Sequence, residues 1–254
     1  MGNQAPVLSH AEMKRAMRIS VIDGMLASAS ENMIGPFLAL CALAMGASKS
    51  QIGLLAALPA FLSNILQIPS ARLTERWGER QKLGVITSGL SRMTIIPIVL
   101  TTMLLEGNTA IYIFILMVTL RGFINSIGVP GWTSLMADIT PRSSRGSYFG
   151  YRNIMCNLAA LVGTLVAGWL IERSGFPGGY QLSFAVALVL GLLSTYSFSR
   201  IPSVPLPKQS RSQQRSLSLK ESWRTVSQYT AFRNYCFTSV LWNFGVTFSG
   251  ALYS

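Results

Sequence analysis

Asp23, Glu31, Arg92 and Arg121 are ionisable residues set inside long apolar stretches. A charge at the middle of such a stretch costs about 2.5–3.5 kcal/mol to insert into a bilayer, so each is a candidate for ligand or proton chemistry. Asp23 and Glu31 are spaced by about two helical turns and share one face of a helix. Arg92 and Arg121 each fall about midway along a stretch of their own. Glu31 with Arg121 is the first pair expected, as a substrate contact or as part of a proton relay. A salt bridge that only joins helices is the competing role for that pair. Asp23 lies nearer the end of its stretch, which favours a headgroup-level or loop-pairing role over ligand contact.

Other chemistries lack the residues they need. His10 is the single histidine, and Cys41, Cys156 and Cys236 show no C-x-x-C spacing. A metal site, a disulfide framework and a His-based triad are therefore not expected, and the cysteines read as small packing residues. No nucleophile–base constellation stands out, so the chain is not read as an enzyme and no cofactor is expected.

The elements that must position the four charges are membrane helices. Half of the residues are apolar, 12% are charged and mean hydropathy is +0.42, too little charge to cover a soluble domain of this length. A bilayer crossing takes about 20 mostly apolar residues. Such stretches run over residues 19–44, 50–71, 83–105, 109–136, 154–171 and 180–198, and apolar sequence resumes over 232–253. Asp23 and Glu31 interrupt the first stretch too early for a cleaved secretory signal, so it is expected to stay as an uncleaved span. Gly46, Gly107 and Gly175 mark turns between spans. Pro36, Pro59, Pro97 and Pro130 are expected to break or kink spans one to four and so to help line a cavity. Asn32, Asn64, Gln67 and Asn125 supply polar groups for a cavity or for bonds between helices. Gly163 and Gly168 permit close helix approach, and Trp132 and Trp169 suit interface anchors.

Charge sign alternates from loop to loop. Lys14, Arg15 and Arg18, then Arg72, Arg76, Arg80 and Lys82, then Arg142, Arg145 and Arg152, then the run from Arg200 to Arg233, fall on one side of the membrane. The intervening loops hold Lys49, no basic residue beside Glu106, and Arg173. Basic residues near span ends are retained in the cytoplasm, which predicts a multi-pass protein of the inner or plasma membrane with a cytoplasmic N-terminus. The net charge of +12 is thereby assigned to topology and anionic headgroups rather than to nucleic acid.

The loop between spans two and three reads A-R-L-T-E-R-W-G-E-R, Ala71 to Arg80. It resembles the cytoplasmic signature of the major facilitator superfamily, G-x-x-x-D-R/K-x-G-R/K-R/K. Glu75, Arg76, Gly78 and Arg80 match or nearly match, while Ala71 replaces the first glycine and Glu79 a basic residue. The loop from Met136 to Asn153, with Asp138, Pro141, Arg145-Gly146 and Arg152, is similar to the corresponding loop of that family. The resemblance covers essentially the whole chain.

It implies an all-α membrane protein: a six-helix bundle built from 3+3 inverted repeats, followed by a partial or complete seventh span. It also implies that Glu75, Arg76, Gly78, Arg80, Asp138 and Arg145 form a conformational-switch loop region, in which Asp138 pairs with a basic residue supplied by Arg80 or Arg76. An arginine in the middle of span four, here Arg121, and the cavity lining of spans one and four belong to the same pattern. The expected organisation is a cytoplasmic tail at 1–18, a six-span bundle at 19–200, a basic cytoplasmic linker at 201–231 and the start of a second half at 232–254. The expected function is secondary transport of a small solute by alternating access, coupled to a proton, with Glu31, Arg121, Arg92 and Asp23 as substrate or coupling residues. The chain is expected to be an N-terminal portion whose C-terminal half is supplied in cis or in trans. The alternative is a non-transporting fragment, or a membrane-embedded scaffold subunit that needs a separate second half.

Overall fold

The computed structural model describes residues 9–77, 79–202 and 229–253, and every regular element among them is helical. Helix α1, His10–Ile34, starts at a capping box. The Ser9 hydroxyl accepts from the Glu12 backbone at 3.3 Å, and the Ser9 backbone donates to the Glu12 carboxylate at 2.8 Å. This reciprocal bonding satisfies two free donors of the first turn, so the helix begins well ahead of the expected Ile19.

A 3-10 turn, Gly35–Phe37, separates α1 from α2, Leu38–Ala44. Pro36 has no N–H for the Asn32 carbonyl, and Thr164 of a later helix offers its hydroxyl there at 3.5 Å. Helix α3, Lys49–Trp77, carries Pro59 and Pro69 without interruption. Span three is broken into α4, Arg80–Met93, and α5, Ile95–Leu104. The break falls one turn before Pro97, where that residue cannot bond back to the Met93 carbonyl.

Helix α6, Gly107–Ile139, runs through Pro130 unbroken. Pro36 and Pro97 thus interrupt their spans, whereas Pro59 and Pro130 do not. Helices α7, Arg145–Ser174, and α8, Gly178–Ser199, complete the bundle. Gly46, Gly107 and Gly175 all have positive φ, the conformation a side chain resists at these tight turns. Helix α9, Thr230–Tyr253, belongs to a separate compact unit. The linker expected at 201–231 lies mostly outside the described residues.

Six helical segments among the described residues are long and apolar enough to cross a membrane: α1 with α2, most of α3, α4 with α5, α6, α7 and α8. Helix α1 packs on α7 and α8, and α6 packs on α3 and α4. Small hydroxyls fasten the first contact. Ser30 donates to the Ala187 carbonyl at 2.6 Å, and Ser183 donates to the Met33 carbonyl at 3.0 Å. Gly163 lets α7 approach so closely that a Cβ there would stand 2.6 Å from the Ala29 carbonyl oxygen.

Two apolar layers form along the bundle. One gathers Met33, Ile34, Ile98, Phe114 and Phe184; the other gathers Ala16, Met136, Ile139, Phe198 and Ile201 at the end where the basic loops emerge. Along spans one, three, four and six, the buried polar and charged residues Asp23, Ser91, Arg92, Arg121 and Ser194 fall between these layers in sequence.

Candidate functional site

Glu31 lies between the layers and meets two arginines from two other spans. Arg121 Nη2 donates to Glu31 Oε2 at 2.7 Å, and Arg92 Nη1 donates to Glu31 Oε1. The guanidiniums are almost wholly enclosed, at 7% and 10% side-chain exposure, while Glu31 keeps 40% and faces open space. Arg92 ends the last turn of α4, directly before the break at Thr94. Its stem fits because Gly191 stands opposite, where a Cβ would come within 2.6 Å of Arg92 Cδ. Both buried Nε atoms, of Arg92 and Arg121, lack a hydrogen-bond partner among the described residues.

The open space is a cavity of about 330 Å³ lined by Asp23, Glu31, Thr87, Arg92, Trp132 and Arg152, among others. Asp23 is enclosed within the bundle, 6% exposed, and accepts from the Ser194 hydroxyl at 2.7 Å. Its face of α1 is the face of Glu31, as their spacing implied.

Arg152 was grouped with the loop charges, yet α7 begins at Arg145 and places it about two turns inside the helix. There Arg152 Nε donates to the Ser20 carbonyl at 3.3 Å, and the guanidinium stacks 5.0 Å from the Trp132 ring centroid. Gly24 provides the clearance, since a Cβ at that position would stand 2.5 Å from Arg152 Nη2. Trp132 is therefore a cavity wall rather than an interface anchor. Trp169 remains an outward residue, 55% exposed beneath Arg173. Arg152 and Ser194 escaped the sequence reading. The signal for Arg152 was a helix start hidden in a basic loop, and a lone serine in an apolar span carries none.

Among the other polar candidates, Asn125 lines the cavity, and Asn32 donates to the Ser28 carbonyl of its own helix at 2.9 Å. Gln67 and Asn64 bond each other at 3.4 Å on an exposed surface.

At the basic-loop end, Arg80 pairs with Asp138 at 2.9 Å. Lys82 pairs with Glu79 at 2.7 Å, which removes the acid from competition with Asp138. Arg145 Nη2 donates to the Ala137 carbonyl at 2.9 Å and to the Thr140 carbonyl at 3.4 Å, closing the end of α6. Gln81 donates to the Ser199 carbonyl at 3.0 Å and to those of Phe198 and Ile201, closing the end of α8. Glu75 and Arg76 fall in the last turn of α3 with side chains that are not described, and Gly78 lies outside the described residues.

No group of three or more metal-ligating His, Cys, Asp or Glu side chains occurs among the described residues. An acid shared by two enclosed arginines, at the edge of an internal cavity between spans, can bind an ion or exchange a proton. A family model described as Major Facilitator Superfamily matches residues 23–254. Comparison with curated proteins found no match.

Proposed function

The chain belongs to the major facilitator superfamily, a family of membrane transporters, and from that premise we propose that it moves a small solute by alternating access with Glu31 as the proton-coupling group. The observation that carries this reading is Glu31 held by Arg92 and Arg121, from two different spans, at the edge of a cavity. A carboxylate so placed is charged while both arginines hold it. Protonation removes the attraction and releases two guanidiniums at once. Arg92 is the moving part in this scheme, because it lies in the last turn of α4 beside the break at Thr94, where Pro97 leaves the Met93 carbonyl without its helical donor.

The charged groups facing Glu31 are Asp23 on its own helix, Arg92 on α4, Arg121 on α6 and Arg152 on α7; α8 has no charged residue and contributes Ser194 to Asp23. Asp23 is the second station for a proton, nearer the basic-loop end. At that end the Arg80–Asp138 pair and the Arg145 cap fasten spans three, four and five together. This is the region that must loosen when the bundle rocks.

A second bundle, supplied in cis or in trans, completes the transporter, and α9 is read as its first span. Charge bias supports placement in the inner or plasma membrane with the basic loops cytosolic. Single cysteines placed at Arg76 and Arg145 are expected to react with an impermeant reagent from the same membrane face.

The deciding measurement is solute flux in vesicles bearing the full-length gene product. Glu31→Gln is expected to abolish proton-driven accumulation while leaving solute exchange, and Arg121→Ala is expected to abolish both. Unchanged accumulation in both variants would remove the pair from the mechanism.

A further inference from the structure

Counting charge around the cavity gives a residue-level statement about the ligand. Two carboxylates, Asp23 and Glu31, and two guanidiniums, Arg92 and Arg152, line the cavity. Arg121, which does not line it, adds a third guanidinium through its bond to Glu31, so the cluster as a whole carries one positive charge in excess. Hydrogen-bond capacity is unbalanced in the same direction. Each guanidinium has five N–H donors. Glu31 takes one from Arg92 and one from Arg121, and neither guanidinium makes another hydrogen bond among the described residues. Their Nε atoms are enclosed and unpartnered among the described residues, a destabilising condition that a ligand or water would relieve.

The acids already hold partners: Glu31 is shared between two arginines, and Asp23 accepts from Ser194. The arginines are also deliberately accommodated, since Gly191 and Gly24 leave the room that the Arg92 and Arg152 side chains occupy.

We propose that the solute is a small organic monoanion whose carboxylate takes the place of the Glu31 carboxylate between Arg92 and Arg121, with its body against Trp132 and Phe198. Glu31 is in effect a built-in stand-in for the substrate. When Glu31 is protonated it stops competing, and one anion with one proton restores the charge of the resting site. The cavity, at about 330 Å³, is at the small end for ligand pockets. Calling the ligand a substrate rests on the transport reading above; the charge selectivity does not.

The test uses full-length protein in neutral detergent and three probes of one shape: benzoate, benzamide and benzylammonium. Trp132 fluorescence reports occupancy, with Trp132→Phe as the background. Benzoate is expected to bind at least about tenfold more tightly than either companion. Glu31→Gln is expected to tighten benzoate about tenfold and to flatten its pH dependence. Arg92→Gln and Arg121→Gln are expected to weaken it by at least that factor.

Tightening cannot be mimicked by misfolding, so Glu31→Gln decides the matter if an arginine variant fails to fold. Equal binding of the three probes, preference for benzylammonium, no benzoate binding at millimolar concentration, or no gain in Glu31→Gln overturns the assignment. Anion-selective binding without flux in vesicles would sink the transport reading and leave this one. Glu31-dependent flux of a cation would do the reverse.

Discussion

The ion pairs of Glu31 and of Asp138 have the same chemistry, a carboxylate with arginine at hydrogen-bond distance, and their acids are about equally open, at 40% and 42% side-chain exposure. They differ in place and number: Glu31 faces a cavity inside the bundle and is held by two nearly enclosed guanidiniums from two spans, whereas Asp138, at the basic-loop end, meets one, Arg80, among the described residues. In the first region a lost acid is not easily replaced, because both guanidiniums are nearly enclosed and are left without a counter-charge. In the second, solvent and salt do replace it, and the pair is worth a fraction of a kcal/mol. Stability therefore depends on the inner cluster, and easy breakage makes the outer pair suitable for a contact that opens and closes.

The sharpest way to break this contrast is Glu31→Ala, which leaves Arg92 and Arg121 facing each other without an acid. It is expected to destabilise the bundle by about 3–5 kcal/mol, read by denaturation in detergent. A loss below about 1 kcal/mol would place the inner cluster in the same class as the outer pair. Gly191→Ala comes next. Its methyl would stand 2.6 Å from Arg92 Cδ and push the guanidinium off Glu31, with an expected cost of about 1–3 kcal/mol. A neutral result at Gly191 would mean that Arg92 has a second resting place.

Asp138→Asn is expected to cost only about 0.2–1 kcal/mol, and the difference from wild type should shrink as salt is raised. Its effect on transport rate should exceed its effect on stability. Lys82→Gln should fall within about 0.5 kcal/mol of wild type, because that pair is exposed on both sides. A large stability loss in either loop variant would erase the distinction between the two regions.

The same contrast explains what could be read in advance. Span number, span order and the apolar setting of Glu31, Arg92 and Arg121 follow from hydropathy, since a bilayer tolerates little but helices. Turn glycines were legible because Gly46, Gly107 and Gly175 adopt positive φ. Helix starts were not. The Ser9–Glu12 capping box extends α1 backwards, and α7 begins inside a basic loop, so Asp23 lies farther from its helix start than the apolar stretch suggested and Arg152 lies within a helix rather than in a loop. Proline gave a mixed signal for a similar reason. Pro36 and Pro97 break their spans, while α3 and α6 continue through Pro59 and Pro130, and sequence alone does not distinguish the two outcomes.

By itself the sequence determined that this chain crosses a membrane several times as helices, and that Glu31, Arg92 and Arg121 lie within apolar spans. Both facts depend on the cost of exposing polar groups to hydrocarbon, which is set residue by residue. Only the tertiary structure decided that Glu31 answers both arginines rather than one, that Arg80 is the partner of Asp138, and that Arg152 and Trp132 wall the cavity. Those choices depend on where glycines let helices and long side chains come close, a property of neighbours in space rather than in order.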